Sequence, residues 1–421
     1  MLFWPQLQRR AVSTLRQNSF LSKTAVDLPR SGIRDVMDAA WKLEKNLKPP
    51  DRLIHLEVGQ PNFPPPESVL KATSTAVTSK PELSMYIPNA GLSSLREAVA
   101  KHHNKVLSLP TPLTEENIVV THGAVGAVAT LLQAILQPGD EILLPDPGWV
   151  NYEMATKMLG GVPVPYPLEE NRKWKPDPNL LSKLCTEKTK AIMLCSPSNP
   201  TGAVLSKEEM SDLVDVCNER GLVIISDEIY SQIYFDRKED QQESPSIMEC
   251  DNIDSQRVCV VSGVSKAWAM TGFRVGWIVT RNIELASTCA KLLEASISCG
   301  VPFAQAGAEE ALTSKDDLVT SMVDEYQQRR DVAVQVLKEF DMYEYTPEGA
   351  FYVLVHTDAH DSVDFCTRFL KEEHVAISPG SAFSHRSTMD KYVRVSLASN
   401  VVDLEEGLRR LCTFIQRERH A

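Results

Sequence analysis

Residues 258–276 read VCVVSGVSKAWAMTGFRVG. The opening Val258-Cys259-Val260-Val261 is a short continuous apolar run, the pattern of a strand buried on both faces. The run breaks at Ser262-Gly263; Lys266 follows, then Met270-Thr271-Gly272 and Arg274. A lysine just past a strand end is poorly placed to pack. It is well placed for chemistry, because ligands in open α/β sheets bind outside the carboxyl ends of the strands. An amine held in such a pocket loses its proton more easily and forms a Schiff base with a carbonyl. Arg274 could clamp an anionic group on the same ligand. Taken alone, the stretch also fits a surface lysine on a loop, so its surroundings have to decide.

Moving upstream, Leu222–Ile225 reads as a strand followed by Ser226-Asp227-Glu228-Ile229-Tyr230, a carboxylate at a strand end with a phenol close behind. Ala191–Cys195 is another strand, leading into Ser196-Pro197-Ser198-Asn199-Pro200-Thr201-Gly202, where Asn199 is a neutral donor and acceptor on a loop stiffened by two prolines. Glu141–Leu144 ends in Pro145-Asp146-Pro147-Gly148-Trp149, which places a large flat ring beyond a strand end. Ile118–Thr121 is followed by His122-Gly123-Ala124-Val125 and a long apolar helix to Leu136. Strand, glycine turn and helix start together make an anion site from free backbone N–H groups. Earlier still come Tyr86, before an amphipathic helix, and LEVGQPNFPPP from Leu56, in which Gly59 permits close approach of backbone to ligand. Each feature has a bland reading as turn or core. Strands alternating with helices over residues 118–280 imply a mostly parallel sheet covered on both faces, an α/β fold.

Downstream, 284–312 and 317–340 have helical patterning, and 351–355 and 392–396 read as strands of a second unit with a helix at 362–373 between them. Arg394 alternates with Val393 and Val395 and so points to the opposite face. A last helix runs from about Asp403.

The 421 residues exceed one small core, and a net charge of −12, from 44 basic and 56 acidic residues, argues against a nucleic-acid-binding surface. No apolar run has the length of a membrane span. Nine cysteines, from Cys185 to Cys412, contain no C-x-x-C pair, so neither a metal site nor a disulfide framework is expected and a reducing compartment is. Residues 1–26 carry Arg9, Arg10, Arg16 and Lys23 and no acid, with Phe3, Trp4, Leu7, Ala11 and Leu15 on one side of a helical wheel. That is the pattern of a mitochondrial presequence; the alternative is a basic arm retained on a cytoplasmic protein.

In their joint order these residues are specific. Tyr86 with Gly-x-x-x-Leu-Arg, Gly123-Ala124-Val125, Trp149, Asn199-Pro-Thr-Gly, Asp227 with Tyr230, Ser265-Lys266, Arg274 and Arg394 resemble the fold type I, class I/II aminotransferases that use pyridoxal 5′-phosphate, from about residue 27 to the C-terminus. The resemblance implies a large domain at 61–310 with a seven-stranded-type sheet, and a smaller α+β domain at 311–421 joined by the segment 27–60. It implies that Lys266 holds the cofactor covalently and then moves the substrate proton, and that Asp227 keeps the pyridine nitrogen protonated. Asn199 and Tyr230 would bond the phenolic oxygen, and Trp149 would stack on the ring. The Gly123-Ala124-Val125 turn, Arg274 and Ser265 would take the phosphate, with Tyr86 supplied by the other subunit of a homodimer. Arg394, helped by Asn199 and the Gly59 backbone, would grip the α-carboxylate of an amino acid or 2-oxo acid substrate. A lyase or cyclopropane-forming synthase of the same fold, acting on a sulfur amino acid, is the alternative activity.

Two departures from the family pattern stand out. Many members carry a phosphate-binding serine where this chain has Gly263, which leaves Ser262 or Ser265 to compensate. Relatives acting on aspartate or glutamate hold the distal carboxylate with a second cation, yet residues 296–303 contain no basic residue and residues 121–137 no lysine or arginine. The expected donors are therefore neutral, apolar or aromatic amino acids, with Phe63, Trp149 and Phe303 as candidate pocket walls.

Overall fold

The computed structural model describes residues 20–28, 32–235, 237–238, 241–315, 317 and 319–420. The presequence pattern falls mostly on residues 1–19, outside the described residues. The expected apolar runs form the strands β2 (Ile118–Thr121), β3 (Glu141–Asp146), β5 (Thr189–Cys195), β6 (Val223–Asp227) and β7 (Val258–Gly263), preceded in the chain by the short β1 (Ile54–His55); β4 (Val162–Pro167), whose three prolines mask a strand pattern, and β8 (Gly276–Thr280) are strands not anticipated from the sequence. They make one sheet of seven in the order β2-β8-β7-β6-β5-β3-β4, in which only β8 runs antiparallel to its neighbours. Alternation divides the side chains between two cores. Ala191 and Met193 of β5 pack on the face shared with the helix Gly123–Ile135, while Ile192 and Leu194 pack on the opposite face with Trp277.

Local chemistry sets the connecting helices. Lys207–Arg220 begins at a reciprocal Ser206–Glu209 capping box and ends at Gly221 in the left-handed conformation. The patterning expected to run through 284–312 breaks into Ile283–Ile297 and Pro302–Thr313. Pro302 has no N–H to continue a helix and starts a new one, and Ser298 at φ 62° turns the chain between them.

A second group of elements packs beside the sheet. β9 (Tyr352–His356), β11 (Ser378–Pro379) and β12 (Tyr392–Ser396) form an antiparallel sheet in the order β11-β12-β9, and β10 (Val375–Ala376) pairs in parallel with β1. The β1–β10 pairing ties the N-terminal segment to the C-terminal part of the chain. The helices Ser362–Glu373 and Val401–Arg419 cover this unit, with Phe365, Phe369 and Phe414 packed edge to face or stacked between them.

Candidate active site

Asp227 is the last residue of β6, Lys266 lies in the turn that leaves β7, and Asn199 and Trp149 follow β5 and β3. Because these strands are parallel neighbours, the sheet brings four distant stretches to one edge. The Lys266 amine donates to the Gly59 carbonyl at 2.6 Å and lies 5.6 Å from the centre of the Tyr230 ring. Burial pulls its pKa down to about 8; the positive charges of Arg394 and Arg274 act in the same direction and Asp227 opposes them. A neutral amine is thus accessible close to neutrality, as a nucleophilic lysine requires.

Burial pushes the Asp227 carboxyl up to about 6, against the pull of Tyr152, the Ile229 amide and Lys266. Tyr152 donates its hydroxyl to Asp227 Oδ2 at 2.7 Å, and the Ile229 amide donates to Oδ1 at 3.2 Å. Tyr152 was not among the sequence candidates. It lies on the first turn of the helix Val150–Met158, whose N-cap is Trp149, and the Trp149 ring stands edge-on against it with centroids 5.4 Å apart. The only sequence signal was its position one helical turn after Trp149.

The Tyr230 hydroxyl shares a 2.8 Å hydrogen bond with that of Tyr352, a second residue the sequence did not single out. Tyr352 pairs with Ser396 and Arg394 with Leu354, so Tyr352 and Arg394 are diagonal neighbours on one face of the β9–β12 ladder. Arg394 is buried, with its guanidinium 4.3 Å from the centre of the Tyr352 ring and 4.7 Å from that of Phe383. It donates to Asn199 Oδ1 at 3.1 Å, to the Glu57 carbonyl at 2.6 Å and to Ser378 Oγ at 3.3 Å. A Cβ on Gly59 would lie 2.6 Å from the Tyr352 hydroxyl, so a larger residue here would displace the Tyr352 phenol.

The Gly123 turn and Arg274 meet at the start of one helix. Gly123 opens the helix Gly123–Ile135 at φ 71°, and a Cβ there would lie 2.6 Å from Arg274 Nη2. Arg274, itself at φ 57°, is held against this helix start by the carbonyls of Thr271 at 2.9 Å and His122 at 3.3 Å. Ala124 is buried and Val125 exposed on the first turn, where amides have no intrahelical partner. A serine cannot replace Gly263: its Cβ would lie 2.7 Å from the Gly276 Cα on β8. Ser265 is buried beside Lys266, whereas Ser262 Oγ makes a long 3.5 Å contact with the Glu228 carbonyl.

Two groups of expected residues do not come together within this single chain. Tyr86 is 87% exposed, so its own chain does not carry it into the site. Phe63 packs edge-on against Tyr326, Trp149 against Tyr152, and Phe303 is half-exposed on the helix Pro302–Thr313. No ring contact joins these three among the described residues.

The family profile "Aminotransferase class I and II" matches residues 51–411. The chain belongs to the class I and II aminotransferases. Among relatives of this aminotransferase, the aspartate aminotransferase of Pyrococcus horikoshii is 30% identical over 96% of this chain and 99% of its own length. Aromatic-amino-acid aminotransferase 2 of Thermococcus litoralis is 32% identical over 90% and 94% of the two chains. Among solved structures, the aspartate aminotransferase of Thermus thermophilus with maleate superposes with a TM-score of 0.86 at 31% identity, covering 94% of this aminotransferase and all of that chain. The seven-stranded α/β architecture is therefore the one the sequence resemblance implied, and the family's cofactor is pyridoxal 5′-phosphate. The relatives are named for acidic and for aromatic donors, so their names leave the substrate open.

Proposed function

We propose that this aminotransferase moves the amino group of a neutral, apolar or aromatic L-amino acid to a 2-oxo acid, using pyridoxal 5′-phosphate in a homodimer. The residues present fit that cofactor. The Gly123 helix start with Arg274 is a cradle for its phosphate, and a buried carboxylate raised to about 6 would be pulled back to its ionised form by a protonated ring nitrogen. When bound, the cofactor supplies an electron sink for the carbanion left at the substrate Cα.

The protein's own groups would do the rest. Lys266 would hold the cofactor and then carry the proton that leaves and rejoins the substrate Cα. Asp227, oriented by Tyr152, would keep the ring nitrogen protonated. Asn199 and Tyr230 would hydrogen-bond the cofactor's phenolic oxygen, Trp149 would stack on the ring, and Ser265 would assist Arg274 at the phosphate. Arg394 would grip the α-carboxylate through two nitrogens while Asn199 and the Glu57 carbonyl hold the guanidinium in place.

The donor preference is carried by the lack of an available second cation at the positions where one is needed. The helix Gly123–Ile135 and the turn before Pro302 contain no lysine or arginine. His122 is held uncharged near neutrality by burial and by the charge of Arg274. Arg329, buried 4.8 Å over Phe63, is already engaged by Glu325 at 2.6 Å, Asn62 at 2.8 Å and the Leu397 carbonyl at 3.1 Å. A buried distal carboxylate without a partner costs several kcal/mol.

The homodimer is supported by apolar groups left on the surface. Met85 and Tyr86 are 66% and 87% exposed, and the turn Pro81–Ser84 before them packs against the helix that carries half-exposed Phe303. The basic, acid-free pattern of residues 1–26 supports a mitochondrial location.

A panel of amino acids added to the purified holoenzyme, followed by the absorbance of the bound cofactor, tests the donor assignment. Neutral donors should convert it with a higher kcat/KM than aspartate. Aspartate as the best donor would overturn the preference, and release of ammonia or a thiol would show an eliminating enzyme instead.

A further inference from the structure

Glu57 is fully buried, and the mechanism above uses only its backbone carbonyl. Its carboxylate has one hydrogen-bond partner, His55 Nδ1 at 2.9 Å, and Oε2 is buried with none. Two residues on, the Gly59 carbonyl holds Lys266, and at Glu57 itself the carbonyl holds Arg394. Arg394 is also an orphan: it is 1% exposed, its Nε has no partner, and among the described residues it forms no ion pair. Its three acceptors, Asn199 Oδ1, the Glu57 carbonyl and Ser378 Oγ, are all neutral. Buried charges without counter-charges are strongly unfavourable, and here two of opposite sign, on the segment after β1 and on β12, are joined through the Glu57 backbone, with the Glu57 charge acting on Arg394.

We propose that the Glu57 carboxylate is a positioning residue that serves as the internal counter-charge of Arg394 until the substrate α-carboxylate replaces it. This rests on Arg394 being the substrate clamp, as read above. Substrate binding then places a second negative charge beside Arg394, so Glu57 weakens affinity at the same time as it keeps the empty site organised. His55 governs the strength of that opposition. Protonated, it pairs Glu57 and removes the competing charge; neutral, it leaves Glu57 to compete. The charged groups acting on His55 are Glu57 and, from the helix Gly32–Glu44, Glu44 at 3.6 Å. His374, ahead of β10, meets this strand through its carbonyl, which accepts from Ile54 N at 2.9 Å. Arg52 is occupied by Asp403 and Glu406 of the helix Val401–Arg419. On the Arg394 side, β9 and β11 present Tyr352 and Ser378. Hydrogen bonding to Glu57 raises the His55 pKa, so the ring holds its proton to higher pH than a free imidazole.

The test compares wild-type holoenzyme with Glu57→Gln, His55→Gln and Arg394→Lys in steady-state kinetics across pH, using the best neutral donor. Glu57→Gln keeps the shape and removes the charge. Its KM for the amino acid should fall on the order of 5-fold with little change in kcat. The ratio of wild-type to Glu57→Gln KM, in which titrations common to both cancel, should shrink toward one as pH falls through the His55 titration. His55→Gln should lose that approach and hold a constant ratio. An unchanged or raised KM in Glu57→Gln, or a ratio that does not vary with pH in the wild type, overturns the proposal. Should Glu57→Gln fail to fold, a His55→Gln profile that tracks wild type overturns it equally. If Arg394→Lys leaves KM unchanged, the clamp assignment falls and the Glu57 role with it. A raised KM in Arg394→Lys beside an inert Glu57→Gln removes the Glu57 role alone.

Discussion

Removing the hydroxyl of Tyr152 should make cofactor binding acid-sensitive. Tyr152 donates at 2.7 Å to a carboxylate that is buried with it, and burial keeps the phenol a donor throughout the working range by raising its pKa. A hydrogen bond to a charged group contributes about 1.5–3 kcal/mol. Taking about 2 kcal/mol, and 1.36 kcal/mol for each pH unit, Tyr152→Phe should raise the Asp227 pKa by about 1.5 units. The carboxyl would move from about 6 to a value on the order of 7.5. The bond favours the ionised form, so its loss favours protonation, and the penalty appears as pH falls below the new pKa. Because the ring nitrogen requires the ionised form, apparent cofactor affinity drops by the fraction of Asp227 that is protonated. The wild-type to variant ratio of affinities should be about 1.3-fold at about pH 8 and about 16-fold at about pH 6. Equilibrium dialysis of pyridoxal phosphate against the two apoenzymes across this range measures it, and contributions from Lys266 cancel in the ratio. A ratio that is flat with pH would refute the assignment of Asp227 as the titrating partner of the ring nitrogen.

Lys266→Ala should abolish turnover while near-ultraviolet circular dichroism and sedimentation match those of the wild type, since loss of the acid–base group alone removes about 10²–10⁴-fold in rate; near-wild-type turnover would end the aminotransferase reading of this site. Arg394→Lys should raise the amino acid KM and lower kcat in steady-state assays, because an ammonium cannot reproduce a planar two-point grip. A fluorescent reporter fused to residues 1–26 should enter mitochondria in imaging, and a diffuse cytosolic signal would assign the segment as a retained basic arm.

The sequence by itself determined the strand ends and what stands on them. Runs such as Val258–Val261 are legible because a doubly buried strand admits only apolar residues, and the chemistry-bearing residues must then fall just beyond. Lys266, Asp227, Asn199 and the Gly123 turn were found this way, and Arg394 by its alternation within a valine strand. Tertiary structure decided everything that depends on side chains meeting across the sheet. Tyr152 reaches Asp227 only because β3, β5 and β6 are consecutive parallel strands. Tyr352 reaches Tyr230 because the β9–β12 ladder packs against the loop after β6, and the Glu57 carbonyl meets Arg394 because β1 joins β10 instead of the large sheet. Hydrophobic period reports which face a residue occupies but carries no information on which strand lies next to it, since the pattern is the same for any neighbour. The break at Ser298 was hidden for a related reason: apolar spacing on either side of it is helical, and the stop is set by Pro302 and a positive φ at Ser298 that periodicity does not register.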